Sequence, residues 1–571
     1  MLHDPDLISL QEVRTKVEKA WAAAQRFRAF TQEQVDAVVE RMAEAARGHA
    51  ERLGQMAVEE TGYGNAKDKL AKNMLAAERL PNELRGMKTI GVLAERTAEK
   101  ITEIAVPVGV VAAILPTTNP TSTAIYKTLI ALKAGNAIVL SPHPRARGCT
   151  CATAEVLYRA AVSAGAPEGI IQCLTQPTVE ATNELMRHPR TAVILSTGGA
   201  GIVKAAYSSG KPAYGVGPGN VPVLVDTTAD VNSAIRGVLA GKTFDNGTLC
   251  SSEQTIVAET KIRQNVLNAL AANGAYICDQ AQAAALAKVL FLRGTTVNPE
   301  MVGHAAIEIA AKAGFEVPAG TRALAAEILG IGVDHPLSAE KLSPVVAVHF
   351  VENFDAALNA CEAILRFHGL GHTCGIYTAD EARARQYALR MPAYRVLANT
   401  PTPQGSVGIT TNLFPAMTLG CGAIAGNSTG DNITPLHLLN IKRLAWAVRP
   451  WSNTEEAPVL TQSTASVSKA RIASAVDRYL SGGTPAKASN VAGIVDKFLE
   501  SKGIIQTCEP CSAPRRNSEP VAVTDFVCED DVRQAVRNKT KIYVGARTII
   551  TPSARELANA QREEILVLTK Q

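Results

Sequence analysis

The chain reads as an α/β protein built on open, parallel sheets. Three features predict this. Short β-branched runs alternate with helical stretches from about residue 100 to 260, glycine-rich turns punctuate them, and the chain is too long for one core. At 571 residues it exceeds the roughly 250–300 at which a single core stops growing, so more than one domain is expected.

The elements follow in order. Residues 20–85 are mostly helical, with Arg41–Ala50 and Ala66–Glu78 carrying mixed apolar and charged faces. Ile104–Leu115 reads as one β-branched strand. Ala124–Ala134 follows as a helix stopped by Gly135, and Ala137–Leu140 is the next strand. Cys151–Ser163 is an alanine-rich helix leading to strand Gly169–Leu174. A helix closes at Glu184–Arg187 ahead of strand Thr191–Leu195, and Val221–Val225 with helix Val231–Leu239 extends the pattern. The alternation resumes less clearly between 340 and 450.

Hydrophobic residues make up 46% and charged residues 19%, a globular balance, and the net charge of +5 is small for this length. Basic residues are scattered in short pairs such as Arg515–Arg516, so nucleic-acid binding is not expected. The longest apolar run, Ile104–Pro116, contains proline and is shorter than the roughly 20 residues a membrane span needs. Met1–Asp6 has neither a basic segment nor an apolar core, so no secretory leader is expected. Eleven cysteines spread over the whole length predict reduced thiols in a cytoplasmic compartment, not a disulfide scaffold.

Composition changes after Trp451. Ser452–Ser468 is polar, as a linker would be, and two segments beyond it repeat at an offset of about twenty residues: Ile472–Leu480 and Val491–Leu499. In the second, Val491, Ile494, Val495, Phe498 and Leu499 fall on one narrow helical face. Such helices can dock an external partner or pack back on the catalytic part. Cys508–Pro520 is again polar. Its Cys508 and Cys511, with Cys528, fall short of the four ligands of a structural zinc site, so no metal is expected. The last piece reads as a helix Asp525–Arg537, strand-like Lys541–Val544 and Thr548–Ile550, and a helix Ala554–Glu563.

Cys250 ends the stretch Lys242-Thr-Phe-Asp-Asn-Gly-Thr-Leu-Cys250, whose small residues suit a loop with backbone N–H groups facing a substrate oxygen. Most free cysteines are buried packing residues; Cys149, Cys151, Cys173 and Cys278, in or beside helical or strand-like runs, read that way. Asn119, in Pro116-Thr-Thr-Asn-Pro120, sits just past the carboxyl end of the first clear strand, where open parallel sheets bind ligands. Its side chain suits a ligand donor and equally an N-cap. Ser196-Thr-Gly-Gly-Ala-Gly201 follows a strand and opens a helix, an anion-binding geometry. Gly215-Val-Gly-Pro-Gly-Asn220 is a second glycine-rich turn, with a strand read after it instead of before it and no carboxylate within it.

Together these residues resemble the aldehyde dehydrogenase superfamily, specifically its CoA-acylating branch, which includes the propionaldehyde and acetaldehyde dehydrogenases of bacterial microcompartments. The likeness covers roughly residues 20–450. It also takes in Glu60-Thr-Gly62, Ser141-Pro-His-Pro144, Glu340-Lys-Leu-Ser-Pro344, Gly371-His-Thr373 and Pro415–Gly422. The resemblance implies a Rossmann-like NAD-binding domain, an α/β catalytic domain and an oligomerisation hairpin. Residues 1–235 would hold mainly NAD and coenzyme A, completed by about 425–450; 236–424 would be catalytic; 451–520 a linker with the two amphipathic helices; 521–571 a small C-terminal module.

By the same resemblance Cys250 is the nucleophile and Asn119 donates to the oxyanion. Thr197 and Gly198 line the cofactor turn, Ser141 and His143 the adenosine side, and Glu340 the nicotinamide ribose. Thr117, Pro144, Gly199 and Gly217 join them as cofactor-contacting positions. Hydrolytic members carry a glutamate aligned with about Val216; its absence here favours acyl transfer to coenzyme A over release of a free acid. No residue is singled out as the base for Cys250.

The amphipathic repeats resemble encapsulation peptides that bind microcompartment shell or cargo proteins, here through residues 466–502. The expectation is therefore a homo-oligomeric enzyme, dimer or tetramer, in a microcompartment lumen, acting on a short-chain aldehyde, propionaldehyde ahead of acetaldehyde. The competing readings are a hydrolytic aldehyde dehydrogenase and a scaffold whose tail organises other proteins.

Overall fold

Four helices precede the first strand. α1 (Pro5–Phe27) starts where the Asp4 side chain accepts from the Asp6 and Leu7 N–H groups, with proline at the first helical position. α2 (Gln32–Thr61) opens on a reciprocal Thr31–Gln34 capping box and stops at left-handed Gly62. α3 (Ala66–Met74), capped by Asn65, continues through one wide turn into α4 (Leu80–Leu84). The computed structural model describes residues 4–449, 524–538, 540–559 and 566–568.

The apolar run 104–115 is not one strand. It divides between β2 (Ile101–Pro107) and β3 (Val110–Ile114). Pro107 lacks the N–H needed to extend a ladder, and Gly109 takes φ 125, so the chain turns there from one sheet into another. β2 pairs antiparallel with β1 (Val92–Arg96) and with β17 (Leu439–Ala445), giving a three-stranded ribbon.

β3 begins a five-stranded parallel sheet. It continues through α5 (Pro120–Lys133), β4 (Ala137–Ser141), α6 (Arg147–Ser163), β5 (Ile171–Cys173), α7 (Val179–Arg187), β6 (Thr191–Thr197), α8 (Ala200–Tyr207) and β7 (Ala213–Val216). The spatial order is β5-β4-β3-β6-β7. Strand addition reverses direction at β3, so the carboxyl ends of β3 and β6 flank a crevice. β3 and β4 are buried along their whole length, as a parallel sheet covered on both faces requires. Val111, Ile125, Leu129, Ile138 and Val139 are fully enclosed in this core, each contributing about 1.5–3 kcal/mol of apolar transfer.

The second sheet has seven parallel strands. They are β8 (Val221–Val225), β9 (Glu253–Glu259), β10 (Ala275–Cys278), β13 (Ala323–Glu327), β14 (Val345–Val351), β15 (Gly371–Tyr377) and β16 (Ala393–Ala398), in the order β10-β13-β14-β9-β8-β15-β16. A short antiparallel pair, β11 (Phe291–Arg293) and β12 (Thr296–Val297), lies between β10 and β13 in sequence. β8 and α9 (Val231–Thr243) belong to this sheet, so the two sheets divide at residues 217–220 and not at 235. The reason is pairing: β8 lies between β9 and β15 and makes no ladder with β7.

Residues up to 450 form one unit and those from 451 another. In the second, β18 (Thr524–Val527), a helix Glu529–Asn538, β19 (Ile542–Ile550), a helix Pro552–Asn559 and β20 (Leu566–Leu568) build a three-stranded parallel sheet with β19 central. The segment read as helical from Asp525 therefore opens with a strand. The two strand-like pieces around Gly545 are one strand. The amphipathic repeats within 466–502 and the Cys508–Cys511 pair lie outside the described residues. Among the described residues no helix is long and apolar enough to cross a membrane.

Candidate active site

The carboxyl edge of the five-stranded sheet and the amino edge of the seven-stranded sheet meet at one cavity of about 1200 Å³. From the first sheet come residues that follow its strands. Thr117 and Asn119 come after β3, Ser141, His143 and Pro144 at and after β4, Thr197, Gly198 and Gly199 at and after β6, and Gly217 after β7. From the second come Cys250, just ahead of β9, and Glu340, ahead of β14. All eleven residues singled out in the sequence line this one space.

No base for the thiol is legible in the sequence; the structure supplies one. His372, at the start of β15 and fully buried, places Nε2 3.2 Å from Cys250 Sγ. Its Nδ1 lies 2.9 Å from Thr373 Oγ1, which also accepts from Arg395 Nε at 3.4 Å. Burial drives the imidazole down to about 3, helped by the Arg395 charge. Burial drives the Cys250 thiol up to about 12, reinforced by Glu340 and Cys421. The two therefore rest as a neutral thiol beside a neutral imidazole. His372 belongs to the Gly371-His-Thr373 stretch noted in the sequence, but 122 residues separate it from Cys250. The only local signal was a histidine opening a strand.

The glycine-rich turn 215–220 runs directly against this pair. Gly215 and Val216 are the last residues of β7, so a strand precedes the turn as well as following it. A Cβ on Gly219 would sit 2.1 Å from the Cys250 carbonyl oxygen and 3.2 Å from His372 Cδ2. Backbone alone fits there. The Gly219 N–H donates to Glu340 Oε1 at 3.2 Å, and burial raises that carboxyl to about 8. Val216 is buried and lines the cavity.

Asn119 occupies the N-cap position of α5, yet its side chain does not cap the helix. Its Oδ1 accepts from Lys72 Nζ at 2.5 Å and its Nδ2 donates to Thr118 Oγ1 at 3.0 Å. The capping alternative is thereby removed. Ser141 Oγ meets Thr182 Oγ1 at 3.0 Å, and Thr197 Oγ1 meets Thr418 Oγ1 at 3.3 Å. His143 is held below the usual imidazole range by burial and by Arg145.

A dinucleotide fits the observed backbone. Nothing lies within 4 Å of where side chains would project from Gly199, Gly201 and Gly217, so a pyrophosphate can approach the main chain there. α8 presents its N-terminus at the same turn, where unpaired N–H groups favour anions. The crevice between β3 and β6 is where open α/β sheets take such ligands.

Comparison with known proteins agrees with this geometry. Residues 4–291 match the model of the aldehyde dehydrogenase family. The bifunctional aldehyde-alcohol dehydrogenase AdhE of Escherichia coli K12 is 43% identical over 442 residues, 76% of this chain and 50% of that protein. The chain thus spans about half the length of that curated relative. Among solved structures, an acetylating aldehyde dehydrogenase from Geobacillus thermoglucosidasius is 48% identical with a TM-score of 0.78, covering 79% of this chain and 100% of that one. A Rhodopseudomonas palustris propionaldehyde dehydrogenase, solved with bound CoA and an acylated cysteine, is 28% identical with a TM-score of 0.70, covering 76% and 97%.

Proposed function

The chain belongs to the aldehyde dehydrogenase family, and from that premise we propose that it converts an aldehyde to its coenzyme A thioester through an acyl group held on Cys250. The observation that carries this reading is the Cys250–His372 contact beside a turn, 215–220, that holds no carboxylate. A thiol with an adjacent base can take and release an acyl group. A water molecule needs a positioned base, and the turn offers none.

Bound NAD supplies the hydride acceptor, and coenzyme A supplies the thiol that removes the acyl group. The chain's own residues do the rest. Cys250 Sγ adds to the carbonyl carbon while His372 Nε2 takes the thiol proton. This requires the ring proton on Nδ1, donated to Thr373 Oγ1. Asn119 Nδ2 and the Cys250 backbone N–H receive the oxygen as it gains charge, and loss of one such donor costs about 3–4 kcal/mol. Once the carbon is oxidised, Cys250 carries a thioester. His372 releases that first proton to solvent, accepts the proton of the incoming thiol and returns it to Cys250 as Cys250 leaves. Two sulfur esters of similar energy exchange, so the reaction runs in both directions.

Thr117, Thr197, Gly198, Gly199 and Gly217 would hold the dinucleotide, Ser141, His143 and Pro144 its adenosine end, and Glu340 the nicotinamide ribose. The apolar walls Val407, Met417 and Leu419 suit a short aliphatic chain, propionaldehyde ahead of acetaldehyde. The two amphipathic repeats support delivery into a microcompartment, and the exposed apolar residues Ile441 and Leu444 on β17 support a homo-oligomer. NADH formation measured with and without coenzyme A tests the acylating reading, which full-rate turnover without coenzyme A would refute. Deleting 452–571 should leave that activity in place and abolish compartment targeting.

A further inference from the structure

Two lysines on α3 are buried beneath the active site. Lys72 and Lys69 are 1% and 2% exposed. Both ammonium groups contact the same carboxylate oxygen, Asp245 Oδ2, with Lys69 at 2.6 Å. Asp245 is fully buried, lies five residues before Cys250, and takes the left-handed conformation at φ 49. Its other oxygen accepts from the Asn65 N–H at 2.9 Å, and its own N–H donates to Asp68 Oδ2 at 2.7 Å. The loop that ends in Cys250 is thus anchored along α3, from the N-cap Asn65 to Lys72 in the last turn.

The same cations reach the Thr118–Asn119 segment. Lys69 Nζ donates to the Thr118 carbonyl at 2.6 Å, and Lys72 Nζ to Asn119 Oδ1 at 2.5 Å and Thr248 Oγ1 at 3.3 Å. A carboxamide has nearly the same shape in its two flipped orientations, so its neighbours decide which end faces a ligand. An ammonium group has donors only. Beside Lys72, the Asn119 oxygen must point inward; the reverse flip would press two donors together in a dry site.

We propose that Lys72 is a positioning residue for acyl transfer: it fixes the Asn119 amide with Nδ2 toward the substrate oxygen. The proposal rests on the oxyanion role read for Asn119. Enclosing two lysines against one carboxylate is costly, and apolar residues would stabilise the same packing better. Burial pushes Lys72 down to about 7, opposed by Asp245. The cost is explained when the second ammonium has a task at Asn119.

A double-mutant cycle tests it. Lys72→Met is expected to lower kcat roughly 10²-fold with the KM for aldehyde nearly unchanged, and Asn119→Ala to lower it about 10²–10³-fold. The double variant should be no slower than Asn119→Ala alone, because Lys72 acts through the group already removed. Cys250 alkylation by iodoacetamide should change little in Lys72→Met. Multiplying losses, or wild-type kcat in Lys72→Met, would overturn the proposal. Wild-type kcat in Asn119→Ala would instead remove the oxyanion reading itself, and the proposal with it. Lys72→Gln, which keeps a donor, gives the same cycle if Lys72→Met does not fold, and is expected to retain part of the lost rate.

Discussion

His372 Nε2 stands 3.2 Å from Cys250 Sγ although one residue opens β15 and the other lies just ahead of β9. The contact exists because β8 lies between β9 and β15, which brings the amino ends of those flanking strands to one place. His372→Ala should lower kcat for acyl-CoA formation by about 10²–10⁴-fold, the range of general base catalysis. Cys250→Ser should abolish turnover. Steady-state NADH formation with each purified variant checks both.

The resting pair carries no charge, and this sets a pH dependence. A thiol raised to about 12 becomes thiolate only as pH rises toward that value, while an imidazole lowered to about 3 stays neutral from pH 5 to 9. The rate of Cys250 alkylation should therefore climb steadily with pH, without a plateau below about pH 10. A thiolate–imidazolium pair would instead give a flat rate through neutral pH, so alkylation followed across that range separates the two.

Gly219→Ala should be severe. The added methyl would meet the Cys250 carbonyl oxygen at 2.1 Å, a backbone atom that cannot rotate away. A loss of at least about 10²-fold in kcat is expected, with overpacking destabilising the fold by about 1–3 kcal/mol. Activity assay and thermal denaturation of the variant read the two effects separately.

Cys151 and Cys173, read from the sequence as packing residues, face each other with sulfurs 3.0 Å apart. The contact with Cys173 holds the Cys151 thiol below its usual range, opposite to the shift at Cys250. Dilute hydrogen peroxide should therefore oxidise this pair first. The Cys151 thiolate takes oxygen from peroxide as a sulfenic acid, and Cys173 then displaces it as water, leaving a disulfide. Peptide mapping should find the Cys151–Cys173 bond before any oxidation of Cys250.

Much of the fold was legible because parallel α/β units write themselves locally: a buried apolar run, a turn, a helix. Cys250, Asn119 and the glycine turns were legible for the same reason, each lying at a strand end. Contacts made across the sheets were not. The helix 66–78 reads as one with mixed apolar and charged faces, yet Lys69 and Lys72 point inward, because Asp245 arrives to meet them from far along the chain. His372 was passed over likewise, since strand order and not sequence distance brings it to the thiol. The division of the run 104–115 turned on Pro107 and Gly109, whose effect depends on which sheet each half joins.

The most direct test is the mass of the protein after treatment with propionaldehyde and NAD in the absence of coenzyme A. The account predicts one acyl group per chain, mapped to Cys250, stable in buffer and discharged on adding coenzyme A. An unmodified Cys250, or an acyl group lost to water as fast as to coenzyme A, would contradict it.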